Sequence, residues 1–160
     1  MAGRLGRCLA GAAAAAGFVI LGASPAAAEP PDVLVAERTV TSLIPSNLKE
    51  TGPVLHYDVA ETAVLSGDVE GTETAEYRCV EVLDAVRCHG VAVTTGTVMG
   101  QEGTFRTIVT VTCDASDPAF PCEARGVSKG VDGQLADLRA TATGSGAGGV
   151  ATIVIRVTRI

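Results

Sequence analysis

Residues 54–65 read Val-Leu-His-Tyr-Asp-Val-Ala-Glu-Thr-Ala-Val-Leu. Leu55, Tyr57, Val59, Ala63 and Leu65 fall on every second position, with His56, Asp58 and Thr62 between them. A period of two puts the apolar set on one face of a strand, whereas a helix needs apolar residues three and four apart. One residue breaks the row: Glu61 stands where an apolar side chain is expected.

The same period runs outward from this stretch. Ala75, Tyr77 and Cys79 alternate with Thr74, Glu76 and Arg78, and His89, Val91 and Val93 with Gly90, Ala92 and Thr94. Phe105, Val109, Val111 and Cys113 oppose Arg106, Thr110 and Thr112, and Ala151, Ile153, Ile155 and Val157 oppose Thr152, Val154, Arg156 and Thr158. Runs this rich in Val and Thr suit half-buried strands, and no helical stripe of normal length is present. The pattern predicts eight strands, near 33–42, 54–66, 72–82, 87–98, 103–113, 122–128, 135–143 and 149–158. Turn signals separate them, among them Gly67-Asp68, Leu83-Asp84, Gly100 to Gly103, Asp117-Pro118 and Asp132-Gly133. Residues 44–53 read as a longer connection, because Pro45 and Pro53 exclude a central strand. Gly144 to Gly149 reads as a flexible link before the last strand. Short links imply antiparallel neighbours, and closing the sheet removes exposed edges. The expected fold is therefore all-β, an eight-stranded antiparallel barrel, with a β-sandwich as the alternative.

Residues 1–28 carry an export signal in the expected order. Arg4 and Arg7 come first, an alanine-rich apolar run follows from Cys8 to Gly22, and Pro25 precedes Ala26-Ala27-Ala28. This run is shorter than the roughly 20 apolar residues that span a bilayer. Cys8 lies at its front rather than its end, unlike a lipoprotein cysteine. Cleavage after Ala28 leaves 29–160 as a single secreted domain with no membrane span. The formal charge of the whole chain is −6. Losing Arg4 and Arg7 lowers the basic residues from 12 to 10 against 18 acidic ones, a charge of −8. A field of that sign repels phosphate backbones and argues against a nucleic-acid partner.

Four cysteines then remain: Cys79, Cys88, Cys113 and Cys122. An even number in an exported chain reads as a disulfide framework. Of three possible pairings, spacing favours Cys79–Cys88 and Cys113–Cys122, each enclosing eight residues. Zinc is the competing use, but no CxxC pair is present and thiolates do not persist in an oxidising compartment. No metal or cofactor is expected.

Three glycine-turn stretches carry a resemblance. They are Ser66 to Gly71 followed by Thr72 to Tyr77, Gly100 to Phe105, and Gly133 to Arg139. In order and spacing they resemble a little-characterised bacterial family placed with the allene oxide cyclase-like barrels. The resemblance implies an eight-stranded antiparallel barrel and brings no catalytic residues with it. The two disulfides, the 114–121 segment, and Lys129-Gly130-Val131-Asp132 before the third stretch depart from the family pattern.

Candidate chemistry is sparse. There are two histidines, His56 and His89, and no serine in a nucleophile-elbow context. His56 and Asp58 share the outward face as a solvated pair. Glu61 is the one candidate catalytic residue. Facing inward it would be a buried carboxylate with a raised pKa, suited to a general acid or a polar anchor; at a bulge or the barrel mouth it would be wetted. Tyr57, Glu61, Tyr77 and Phe105 form the candidate ligand-binding set for an apolar molecule, provided that small inward side chains leave the barrel hollow rather than filled. Phe120 and Pro121, in the loop between Cys113 and Cys122, form a candidate partner surface, unless Phe120 folds back over the barrel end. The leading functional expectation is a secreted, non-catalytic binding protein, taking a small apolar ligand inside or an extracellular protein at its loops. The alternatives are a cofactor-free isomerase or cyclase using Glu61, and a protease inhibitor or adhesion module using residues 113–122.

Overall fold

Alternation along the chain becomes a single closed sheet in the computed structural model, which describes Val33–Arg159. The predicted export segment lies outside the described residues. The strands are β1 (Val33–Thr51), β2 (Val54–Gly67), β3 (Val69–Val82), β4 (Ala85–Val98), β5 (Gln101–Asp114), β6 (Cys122–Gly133), β7 (Arg139–Ala147) and β8 (Val150–Arg159). Each pairs antiparallel with the next, and β8 returns to β1, closing a barrel rather than a sandwich. No helix occurs among the described residues, hence none long and apolar enough to cross a membrane.

The largest differences from the expected boundaries, of about four residues or more, each have a physical reason. The first strand continues to Thr51 instead of ending near 42, with Pro45 paired opposite Val59. Only Val33–Thr39 of β1 pairs with β8, so Pro45 lies where the strand has a single partner, the edge position in which proline is tolerated. Two register shifts, between Val40 and Ser42 and between Ser46 and Lys49, absorb the irregularity. The glycine-rich stretch of 144–149 is strand as far as Ala147, and only Gly148 and Gly149, at φ 60° and 83°, make the turn. The sixth strand runs on to Gly133 rather than ending near 128, paired with β5 except at a bulge that leaves Val131 unpaired. Lastly, the seventh strand begins at Arg139 rather than 135. Residues 134–138 form a turn that folds Leu135 and Leu138 into the barrel end, where both are buried.

That turn is a plug. Leu135 and Leu138 pack with Leu34, Leu65, Val69, Val98, Phe105, Ile155 and Val157 in one apolar cluster. Burying each leucine stabilises by about 1.5–3 kcal/mol. Gly130 admits the plug, since a Cβ there would stand 1.6 Å from the Leu135 carbonyl oxygen. The three glycine-turn stretches all meet at this end. Asp68 accepts a hydrogen bond from the Val35 amide (2.8 Å), Met99 N–H donates to the Asp68 carbonyl (3.1 Å), and the Glu102 amide donates to Gln134 Oε1 (3.0 Å). Those stretches seal the base of the barrel.

The opposite end is laced rather than packed. Cys79 pairs with Cys88 across β3 and β4, and Cys113 with Cys122 across β5 and β6. This is the connectivity that spacing favours. Asp84 O accepts from the Ala115 amide at 2.7 Å, joining two loops at the same mouth.

Candidate functional site

The half of the barrel away from the plug is hollow. Inward positions there carry small side chains or none, including Ala92, Ala124, Gly126, Ala142 and Gly144, and they enclose a cavity of about 420 Å³. An eight-stranded interior is just wide enough to be filled or to hold one small molecule. This barrel divides the two outcomes between its halves.

All four residues of the sequence-derived ligand set, Tyr57, Glu61, Tyr77 and Phe105, line this cavity. Their strands set the geometry. Tyr57, Glu61 and Tyr77 lie on the inward positions of β2 and β3, with Tyr57 opposite Cys79 and Val59 opposite Tyr77. The Tyr77 ring lies over Gly90, where a Cβ would come within 2.6 Å of Cδ1. Phe105 belongs both to the packed cluster and to the cavity wall, and so marks the floor between them.

Glu61 faces inward, and it is not alone. Arg38 on β1 donates through Nη2 to Glu61 Oε1 and through Nε to Glu73 Oε1 (2.8 Å), and Glu73 Oε2 accepts from the Thr94 hydroxyl at 3.0 Å. The three charged side chains are 14%, 10% and 9% exposed for Arg38, Glu61 and Glu73 respectively. Burial works against the charge on Arg38, but the carboxylates of Glu73 and Glu61 outweigh it and hold its pKa above the ordinary value. Of the two placements the sequence left open for Glu61, the inward one is observed, and there it is one arm of a buried ion-pair cluster. Arg38 and Glu73 escaped the sequence reading, although the signal was the one that drew attention to Glu61. Arg38 shares the inward register of Leu34 and Ala36, and Glu73 that of Ala75, Tyr77 and Cys79. Each of the three charges occupies an inward position of its strand.

Both tyrosine pKa values are raised, and only that of Tyr77 by the cluster as well as by burial. Burial raises the Tyr77 pKa well above its usual 10, reinforced by the negative charge of Glu61 and partly offset by Arg38. Burial also raises that of Tyr57, helped by Glu81. Each therefore stays a neutral phenol. A second polar pair, the hydroxyls of Thr107 and Ser128 at 2.8 Å, lies on the wall between β5 and β6.

Phe120 lines the cavity rim while remaining 42% exposed, at φ 49°. Its loop is held by the Cys113–Cys122 bridge and by Asp114, whose Oδ1 accepts from Ser116 Oγ (2.6 Å) and from the Ser116 amide (2.9 Å). Those bonds hold the Asp114 carboxyl below the usual carboxylate range. Pro121 faces outward, beside Leu83 and Glu123. His56 and His89 are exposed and do not line the cavity; His89 Nδ1 lies 3.2 Å from the Thr110 hydroxyl, and Asp58 takes its bond from Asn47 rather than from His56 (2.7 Å). Among the described residues no three His, Cys, Asp or Glu side chains are grouped as a metal ion requires. The sequence matches no protein-family model and no curated protein.

Proposed function

We propose that this is an exported binding protein that holds one small, largely apolar molecule in the open half of its barrel. The observation that carries the reading is the cavity of about 420 Å³, walled mainly by aliphatic and aromatic side chains with a few polar groups gathered at its floor. That size and lining are those of small-molecule sites, which run from roughly 300 to 1,000 Å³. Binding is favoured over turnover because one Glu61 oxygen is taken up by Arg38, all four described cysteines are in disulfides, and the histidines lie outside the cavity. Phe120 then serves as part of the rim that a ligand passes. The two disulfides support export to an oxidising compartment. The three glycine-turn stretches support placing the chain with the allene oxide cyclase-like barrels, as does its eight-stranded closure.

Titration with N-phenyl-1-naphthylamine, a neutral apolar dye that fluoresces on leaving water, tests the reading. One dye per barrel is expected, with binding lost in Ala124→Phe, which fills the cavity, while far-UV circular dichroism stays unchanged. A dye that does not bind, or binds the filled variant equally, overturns it.

A further inference from the structure

The charges buried at the cavity floor do not cancel, and Arg125, the other charged residue bordering the cavity, is exposed. Arg38 supplies one positive charge, Glu61 and Glu73 two negative ones, and all three are nearly withdrawn from water. Arg38 uses Nε and Nη2 on the two glutamates. Glu61 is nine-tenths buried and engages Arg38 through one oxygen; its other oxygen, Oε2, takes no hydrogen bond among the described residues, and neither does the Tyr77 hydroxyl. No fully buried side-chain polar atom is left unpartnered. The free Glu61 oxygen and the Tyr77 hydroxyl therefore look into the cavity they line.

The geometry points to a ligand with a protonated amine head and an apolar tail. This inference rests on the binding reading above and adds the chemistry of the head group. An ammonium carries donors and no acceptor, which suits one carboxylate oxygen and one phenol oxygen. It also cancels the surplus negative charge in a site where water screens weakly. Tyr77 and Phe105 line the same cavity, and aromatic rings attract cations. A carboxylate head would bring a second uncompensated negative charge to the floor. The tail then runs past Val109, Val111 and Ala124 towards Phe120 at the mouth.

Three decyl compounds that differ only in the head group test this by displacing bound N-phenyl-1-naphthylamine at pH 7: decylamine, decanol and decanoate. Decylamine should bind at least tenfold more tightly than decanoate, with decanol between them. In Glu61→Gln the floor becomes neutral, and the amine should lose most of that advantage while decanol keeps its affinity. Decanoate binding as tightly as decylamine in the wild-type protein overturns the inference and leaves the binding reading standing. Failure of all three compounds and of the dye itself overturns both.

Discussion

Arg38 stands between two glutamates with most of its side chain out of water, so replacing it is not equivalent to replacing either of them. Arg38→Met leaves two buried carboxylates facing each other and should cost about 3–5 kcal/mol. Glu61→Gln leaves the Arg38–Glu73 pair intact and should cost only about 1 kcal/mol, the net worth of one hydrogen bond. Urea unfolding of the two variants, read at unchanged slope, checks this; equal losses would mean that the cluster does not act as a unit. The tyrosines give an independent reading. Folding raises both phenol pKa values above the unfolded value of about 10, so the stability involved is complete below pH 10 and is lost as pH rises towards the folded values. Absorbance titration should find both tyrosines ionising later than a free phenol, and Tyr77 last. At this scale the sequence was half legible. Glu61 stood out because its strand is apolar on both sides of it, whereas Arg38 lies in a strand whose second half has no apolar face to interrupt, and in the Glu73 row Gly71 leaves a gap between Val69 and Glu73.

Elements were legible where side chains alternate and illegible where backbone pairing decides. By sequence Pro45 is a strand breaker, yet it pairs in β1 because the neighbouring strand has already ended. Gly144 and Gly146 lack side chains and so carry no periodicity, but their backbones pair regularly with β8. Leu135 and Leu138 looked like the start of a strand; their three-residue spacing is that of a turn which drops both into the base. Leu135→Ala should cost about 2–5 kcal/mol by opening a void in the packed half. The effect on dye binding should be small by comparison, because the plug is not part of the cavity wall. The bridges belong to the other half. Replacing Cys79 and Cys88 together by serine should cost about 2–3 kcal/mol, the entropy released by so short a loop. The thermal midpoint of the double variant measures that cost.

Across the whole molecule, stability and vacancy are separated. One end is solid with apolar side chains, while the other gives up that packing to the cavity and carries both covalent bridges. Closure itself has a further consequence. The seam that completes the ring joins Val33–Thr39 to Val150–Arg156, the earliest and latest described segments of the chain. Until the final hairpin arrives, β1 and β7 each present a bare row of amides and carbonyls, and the β1 row is flanked by the exposed Val33 and Val35. Pairing so remote in sequence is slow, typically milliseconds to seconds. A chain cut after Gly149 should keep both sticky margins permanently, and size-exclusion chromatography should find it as oligomers or precipitate instead of a monomeric ring. Residues 150–159 are thus a clasp: until they are in place the sheet stays an open ribbon, prone to sticking to its own copies.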